Sequence, residues 1–206
     1  MKKPLLATAA FLALAVPAYA ASKPAPAPVS AATAPAAADY AREWQIDPLH
    51  STLTFTGTQS GQSFSGGFQK FTAHVLLNPD HPETGKITVD VDPASAYAGS
   101  DDRDSMLPGK DWFDVAHFPQ AQFVSTAIHQ VGPGQYQADA TLTIKGISRN
   151  VTLPFTLKKE GDHWRAQGHV VLSRDAFGIG LGMFANENYV KNAVDVAVDL
   201  SAKPAP

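Results

Sequence analysis

"QYQADATLTIK", residues 135–145, alternates without a break. Tyr136, Ala138, Ala140, Leu142 and Ile144 are apolar; Gln135, Gln137, Asp139, Thr141, Thr143 and Lys145 are polar. A period of two is the mark of a strand with one face in a core and the other in water. The pattern continues downstream in 151–158, 163–172 and 194–200, and upstream in 70–78 and 86–92. Segments 51–57 and 121–130 are rich in Thr, Val and Phe and read as strands with a looser alternation. Turn signals separate them: "NPDHPETG" (78–85), "GPG" (132–134), "KGISRN" (145–150) and "KEGD" (159–162). About eight strands joined as hairpins, each with one apolar face, predict an all-β fold, either an up-and-down antiparallel barrel or a sandwich. Pro154 interrupts one strand and has no N–H to donate, so it belongs at an edge or a bulge.

The ends of the chain are different material. Lys2 and Lys3 precede an apolar run from Leu5 to Val16 and then Ala18-Tyr19-Ala20. This basic head, short apolar core and small-x-small site predict a signal peptide over 1–20, cleaved after Ala20, and a periplasmic protein. Residues 21–42 are mostly Ala, Pro and Ser and predict a disordered linker. Residues 43–202 should form the folded domain, and 203–206 a flexible tail. The chain has no cysteine, which excludes disulfides, thiolate metal sites and a lipid-bearing N-terminal cysteine. Without the leader it carries 14 basic and 19 acidic residues, a formal charge of -5, with no basic cluster. Nucleic acid is excluded as a partner on that ground.

Two connections are too long for turns. Residues 173–191 hold three glycines and no regular period. The other, 93–119, contains "SDDRDSMLPGKDWFDVAHFP" (100–119), where acids lead directly into Trp112, Phe113 and Phe118. Ser100 could cap a short helix, with Asp101 and Asp102 in its first turn and Gly109 ending it. Such a segment suits an acid–base site, a metal loop or a flap over an apolar cavity. The acids lack the alternating ligands of a calcium loop, and the histidines lack zinc spacing. Asp47 and His50, and Asp114 and His117, stand three apart and can pair. No Ser or Cys nucleophile accompanies them in a recognisable setting. The chain reads as a non-enzyme with no cofactor and no metal.

A closed barrel of eight strands either fills itself with side chains or holds one ligand. Ala73, Ala138, Ala140, Ala166 and Gly168 on apolar faces leave room that larger residues would have closed. Alternatively they pack against large residues across the barrel. Phe64, Phe68, Phe71, Phe123, Phe155, Phe177 and Phe184 add aromatic surface, part of it in the two insertions, which can form a lid or a satellite core. Composition leaves both alternatives open.

"WQIDPLHSTLTF" (44–55), "SGGFQKF" (65–71), "RDSMLPGKDWFDVAHFPQAQFVST" (103–126), "LTIKGISRNVTLP" (142–154) and "SRDAFGIG" (173–180) occur in this order. Together they resemble the YceI-like family of exported, lipocalin-like barrels that bind polyisoprenoids. The resemblance spans about 43–201. It implies an eight-stranded antiparallel lipocalin-like barrel with a short helical insertion near 100–116. The barrel would enclose an apolar channel for an isoprenoid lipid, a quinone tail or a polyprenyl chain. Ala140 stands where the family usually has Gly, which narrows the channel, and Ser148 where Thr is frequent. The residues expected to line the channel are Phe55, Phe68, Phe71, Val75 and Val89 on the early strands. Met106, Leu107, Trp112, Phe113 and Phe118 come from the first insertion. Phe123, Ala140, Leu142 and Phe155 come from the middle strands, and Phe177 and Met183 from the second insertion. The expected role is binding and transport or storage of such a lipid, with an inner-membrane partner and a dimer both compatible with it. The alternative is an envelope stress or interaction protein with a packed barrel.

Overall fold

Ten strands and one short helix stand among residues 41–205, the part of the chain that this computed structural model describes. The strands are β1 (Arg42–Gln59), β2 (Gln62–Phe68), β3 (Phe71–Leu77), β4 (Lys86–Val91), β5 (Ala96–Tyr97), β6 (Ala121–Gly132), β7 (Gln135–Ile144), β8 (Ile147–Glu160), β9 (His163–Ser173) and β10 (Ala193–Pro204). The helix, α1, is Asp101–Met106. All pairings are antiparallel, and β10 pairs with both β9 and β1, which closes the sheet.

The ten strands make eight staves. β1 pairs through Leu53–Gln59 with β2 and through Arg42–Trp44 with β3, so β2 and β3 are one stave bent at Gln69 and Lys70. β4 and β5 are likewise one stave, broken by a 3-10 turn at Pro93–Ser95 that Asp92 caps through Ala94 N. The fold is the expected eight-stranded antiparallel barrel.

Some boundaries move. β8 starts at Ile147, because the turn is only Lys145 and Gly146, with φ of 51° and 74°. Two positive φ values make the two-residue hairpin turn whose twist matches the strands. The pattern at 151–158 missed the first residues because Ser148, Arg149 and Asn150 are all polar and exposed. The first two residues of the expected tail, Lys203 and Pro204, are strand: Lys203 pairs with Gln45, and Ala205 N donates to Glu43 O at 2.8 Å. Arg42, assigned to the linker, opens β1. The leader and residues 21–40 lie outside the described residues.

In a closed meander, alternate connections emerge at the same end. The turns at 78–85, 133–134 and 161–162 therefore share one end, here the lower. The β1–β2 and β7–β8 turns share the upper end with both insertions, 98–120 and 174–192. The topology thus brings the two aromatic-rich connections together.

The lower end is packed shut. Trp44, Leu77, Ile128, Tyr136, Ala138, Phe155, Leu157 and Ala202 form one buried cluster. Trp44 meets Trp164 edge to face at 5.7 Å, and Tyr136 stacks on Phe155 at 5.3 Å. The polar tips are satisfied: Trp44 Nε1 donates to Leu77 O at 2.8 Å and the Tyr136 hydroxyl to Pro79 O at 3.1 Å. A second cluster, Ala98, Leu107, Phe113, Phe177 and Ile179, sits under the insertions at the upper end.

Candidate ligand-binding cavity

Between the two clusters the inward side chains are less completely buried. On β10, Leu200 and Ala202 are buried, whereas Val194, Val196 and Val198 are only half-buried although they point the same way. Leu142 and Ile144 on β7, and Val170 and Leu172 on β9, are half-buried too. They are exposed to an internal cavity of about 280 Å³. An apolar void of this size left unfilled costs on the order of 7 kcal/mol at about 24 cal/mol per Å³. That rivals the whole stability of an ordinary domain, about 5–15 kcal/mol. The barrel is hollow in its middle.

The small residues did not make the hollow. Ala138 is wholly buried against Ile128, Tyr136 and Phe155 in the lower cluster, and Ala73 and Ala140 are sealed in the wall. A Cβ on Gly168 would stand 2.7 Å from Pro154 O and 3.0 Å from Phe155 Cβ. Only Ala166 of the five borders the cavity. Medium-sized residues, among them Val170, Leu172, Val194, Val196 and Val198, border the space.

Phe55, Phe68, Val75, Val89, Met106, Leu107, Trp112, Phe113, Phe123, Leu142, Phe155 and Phe177 all line the cavity. Four expected residues do not. Phe71 lies just past the bend between β2 and β3. The Phe118 ring lies over the β7–β8 turn, near enough that a Cβ on Gly146 would be 2.7 Å from it. Ala140 has its side chain covered by neighbours, so it does not narrow the channel. Met183 is 77% exposed, outside the lid. Val170, Leu172, Val194, Val196 and Val198 belong to the lining and were missed as site residues. Their alternation marked them as inward, but nothing in a pattern separates inward-and-packed from inward-and-hollow.

Close approach of β2 shapes one wall. A Cβ on Gly66 would stand 2.5 Å from the Phe55 ring, so only glycine lets that ring lie across the strand. Phe55 then meets Phe64 at 6.5 Å and Phe68 at 5.7 Å, and Phe68 meets Phe113 in the first insertion at 5.7 Å.

The segment 100–119 is a flap docked by its charges. The Asp104 carboxylate accepts from Ala98 N, and Arg103 Nε donates to Ala98 O at 2.7 Å. Both bonds pin α1 to the end of β5. Ser100 is at the N-cap, but its side chain makes no cap bond; its carbonyl accepts from Asp104 N at 2.9 Å. Trp112 and Phe113 then reach the cavity, and Trp112 lies against Phe184 of the second insertion at 5.1 Å. Asp111 O accepts from Gly180 N and Leu181 N at 2.7 and 2.9 Å. Lys145 Nζ, from the β7–β8 turn, donates to Lys110 O at 2.7 Å and Gly178 O at 2.9 Å. One lysine therefore clasps both insertions.

Arg174 holds the second insertion together, and sequence reading had given it no role. It is 4% exposed, and its guanidinium donates to Lys191 O, Ile179 O, Gly180 O, Phe184 O and Val190 O at 2.7–3.1 Å. Burial lowers its pKa below the ordinary arginine value, partly offset by Asp175 and Glu187. Gly180, at φ 71°, makes room: a Cβ there would be 2.2 Å from Arg174 Nη1. The available signal was a lone arginine opening a glycine-rich loop.

The lining is almost wholly apolar. Its polar members are Gln59, Arg103, Gln122, Arg174 and Lys191. The Arg103 guanidinium lies over the Phe64 ring at 4.9 Å. The two Asp–His pairs do form, at 2.7 Å for Asp47–His50 and 2.8 Å for Asp114–His117, but neither borders the cavity and both imidazoles are exposed. No group of three or more candidate metal ligands stands among the described residues.

The fold is shared with known proteins. A YceI-like domain model matches residues 44–202. A UPF0312 protein of Pseudomonas syringae pv. tomato is 33% identical over 150 residues, covering 69% of this chain and 77% of that protein. The crystal structure of Burkholderia cenocepacia BcnA superposes with a TM-score of 0.75 at 32% identity, over 77% of this chain and all of that one. A polyisoprenoid binding domain from Saccharophagus degradans shares the fold, with a TM-score of 0.64 at 13% identity, over 80% of this chain and 99% of that one. The closed eight-stave barrel and the matched span lead to one conclusion: the chain belongs to the family of YceI-like domains.

Proposed function

We propose that the protein holds the hydrocarbon chain of an isoprenoid lipid, such as a quinone tail or a polyprenyl chain, inside the barrel, and carries or stores it in the periplasm. The observation that supports this most directly is the cavity of about 280 Å³ with its nearly unbroken apolar lining. The Saccharophagus degradans protein described as polyisoprenoid binding has the same fold and points the same way.

The driving force is removal of the chain from water. Each buried methylene contributes roughly 0.8 kcal/mol, so a five-carbon unit contributes about 3–4 kcal/mol. Two to three such units reach the roughly 8 kcal/mol of a micromolar complex. The competing solvent is the bilayer, which is equally apolar, so exchange between barrel and membrane sits near balance. That favours a carrier over a sink. Gln59, Arg103 and Lys191, bordering the cavity at the lid, are where a polar headgroup would remain. Neither binding nor carriage requires a catalytic residue.

The test is mass spectrometry of lipid extracts from the protein purified from its own periplasm, alongside fractionation to confirm that compartment. An isoprenoid-tailed lipid at near-stoichiometric amount is expected. A protein that repeatedly purifies without lipid, and takes none up from vesicles, would overturn the reading.

A further inference from the structure

The barrel wall has a stretch without ladder hydrogen bonds. β8 and β9 are in register from Glu160↔His163 up to Phe155↔Gly168, and there the ladder stops. Above that point β8 from Ile147 to Pro154 pairs only with β7, and β9 from His169 to Ser173 only with β10. The parting therefore runs from mid-barrel to the lid.

Pro154 stands at the parting. Its carbonyl lies 2.7 Å from where a Cβ of Gly168 would be, so it faces β9. In an antiparallel strand a residue's N and C=O point to the same side, so the Pro154 nitrogen faces β9 as well. It has no proton to give to His169, the next residue due a ladder bond. The lips of the parting are Val151 and Leu153 on one side and Val170 and Leu172 on the other, and all four line the cavity. Val171, between the last two, is 59% exposed. At the top, the Lys145 clasp ties the β7–β8 turn to Gly178, just beyond the end of β9.

We infer that the β8–β9 parting is a lateral portal through which the hydrocarbon chain enters and leaves the cavity broadside. Passage at the lower end would break the buried aromatic cluster around Trp44 and Tyr136. Passage straight through the lid would break the cluster around Phe113 and Phe177. Separating β8 from β9 above Pro154 breaks no ladder bond and wets only aliphatic lips. A side route also lets a headgroup stay near the lid's polar edge while the tail swings in. This rests on the chain-binding reading above.

The test exploits the absence of native cysteine. Thr152→Cys with Val171→Cys places thiols on the outer face of the two lips, where a short bis-maleimide can bridge them without entering the cavity. His169→Cys with Ala197→Cys, across the paired β9–β10 ladder, is the control. Each protein is loaded with dansyl-farnesol, bridged, and mixed with phosphatidylcholine vesicles carrying a quencher. The bridged lips should slow transfer of the probe at least tenfold, and the control bridge should not. Equal rates before and after bridging the lips would overturn the portal alone. Failure of the unbridged protein to bind the probe would overturn the chain-binding reading and the portal with it. A measurement free of ligand accompanies this: the Val171 amide should exchange hydrogen much faster than the Leu172 amide, which faces β10. Equal protection of the two would show the parting closed and sink the inference.

Discussion

Val196→Phe distinguishes a hollow barrel from a filled one by the sign of its effect. Val196 points into the cavity from the middle of β10, beside Phe55 of β1 and Val170 of β9, and is only half-buried. Phenylalanine adds four carbons to the side chain. Full burial of these would contribute about 3 kcal/mol at roughly 0.8 kcal/mol each; partial burial and rotamer entropy reduce this to about 1–2 kcal/mol. In a packed interior the same change would cost about 1–3 kcal/mol through overpacking. The two cases differ by several kcal/mol and in direction. For a domain of this size, 1 kcal/mol moves Tm by about 2–4 °C. Delipidated Val196→Phe should therefore melt a few degrees above the wild type. The ring occupies volume that the chain needs, so affinity for dansyl-farnesol, followed by fluorescence titration, should fall at least tenfold. A lower melting point with unchanged affinity would refute the hollow-barrel argument.

Ala138→Leu is the counterpart: the side chain is wholly buried in the lower cluster, so it should destabilise by about 1–3 kcal/mol in denaturant titration and leave probe affinity within about twofold. Arg174→Met strands five carbonyl acceptors around the second insertion; at about 1–3 kcal/mol for each buried acceptor left without a partner, it should melt the 178–192 segment. Hydrogen exchange there should rise, while the β6–β7 hairpin keeps its protection. Asp199 is held below the usual carboxylate range by its hydrogen bond from Arg165, against the opposing cost of partial burial, and also by Gln167. A depressed folded-state pKa gives stability that is present above the unfolded value and is lost as pH falls through the folded one. Asp199→Asn should therefore cost up to about 1 kcal/mol at neutral pH, as an exposed bidentate pair does, and the difference from wild type should vanish in acid unfolding curves below the folded pKa.

Alternation, helped by Thr, Val and Phe content in the two looser segments, determined the stave count. A strand half in water and half in a core must repeat every two residues, and each stave shows that repeat over at least part of its length. Local chemistry also marked the turns, although "KGISRN" ran too far, because polar residues on a solvent-facing strand end look like a loop. The family motifs carried the barrel and its apolar channel as an expectation, and most of the aromatic lining with it. Tertiary structure alone decided which inward residues face a void. Ala138 and Val196 both sit on apolar faces; one is packed by Tyr136 and Phe155, and the other looks across a gap, because interior volume is set by the spacing of staves rather than by any single side chain. The same holds for Arg174, whose five partners are spread from Ile179 to Lys191, and for Pro154. The sequence placed that proline at an edge or a bulge, but only the register of β8 against both neighbours shows an edge inside a closed wall, where one missing donor faces β9.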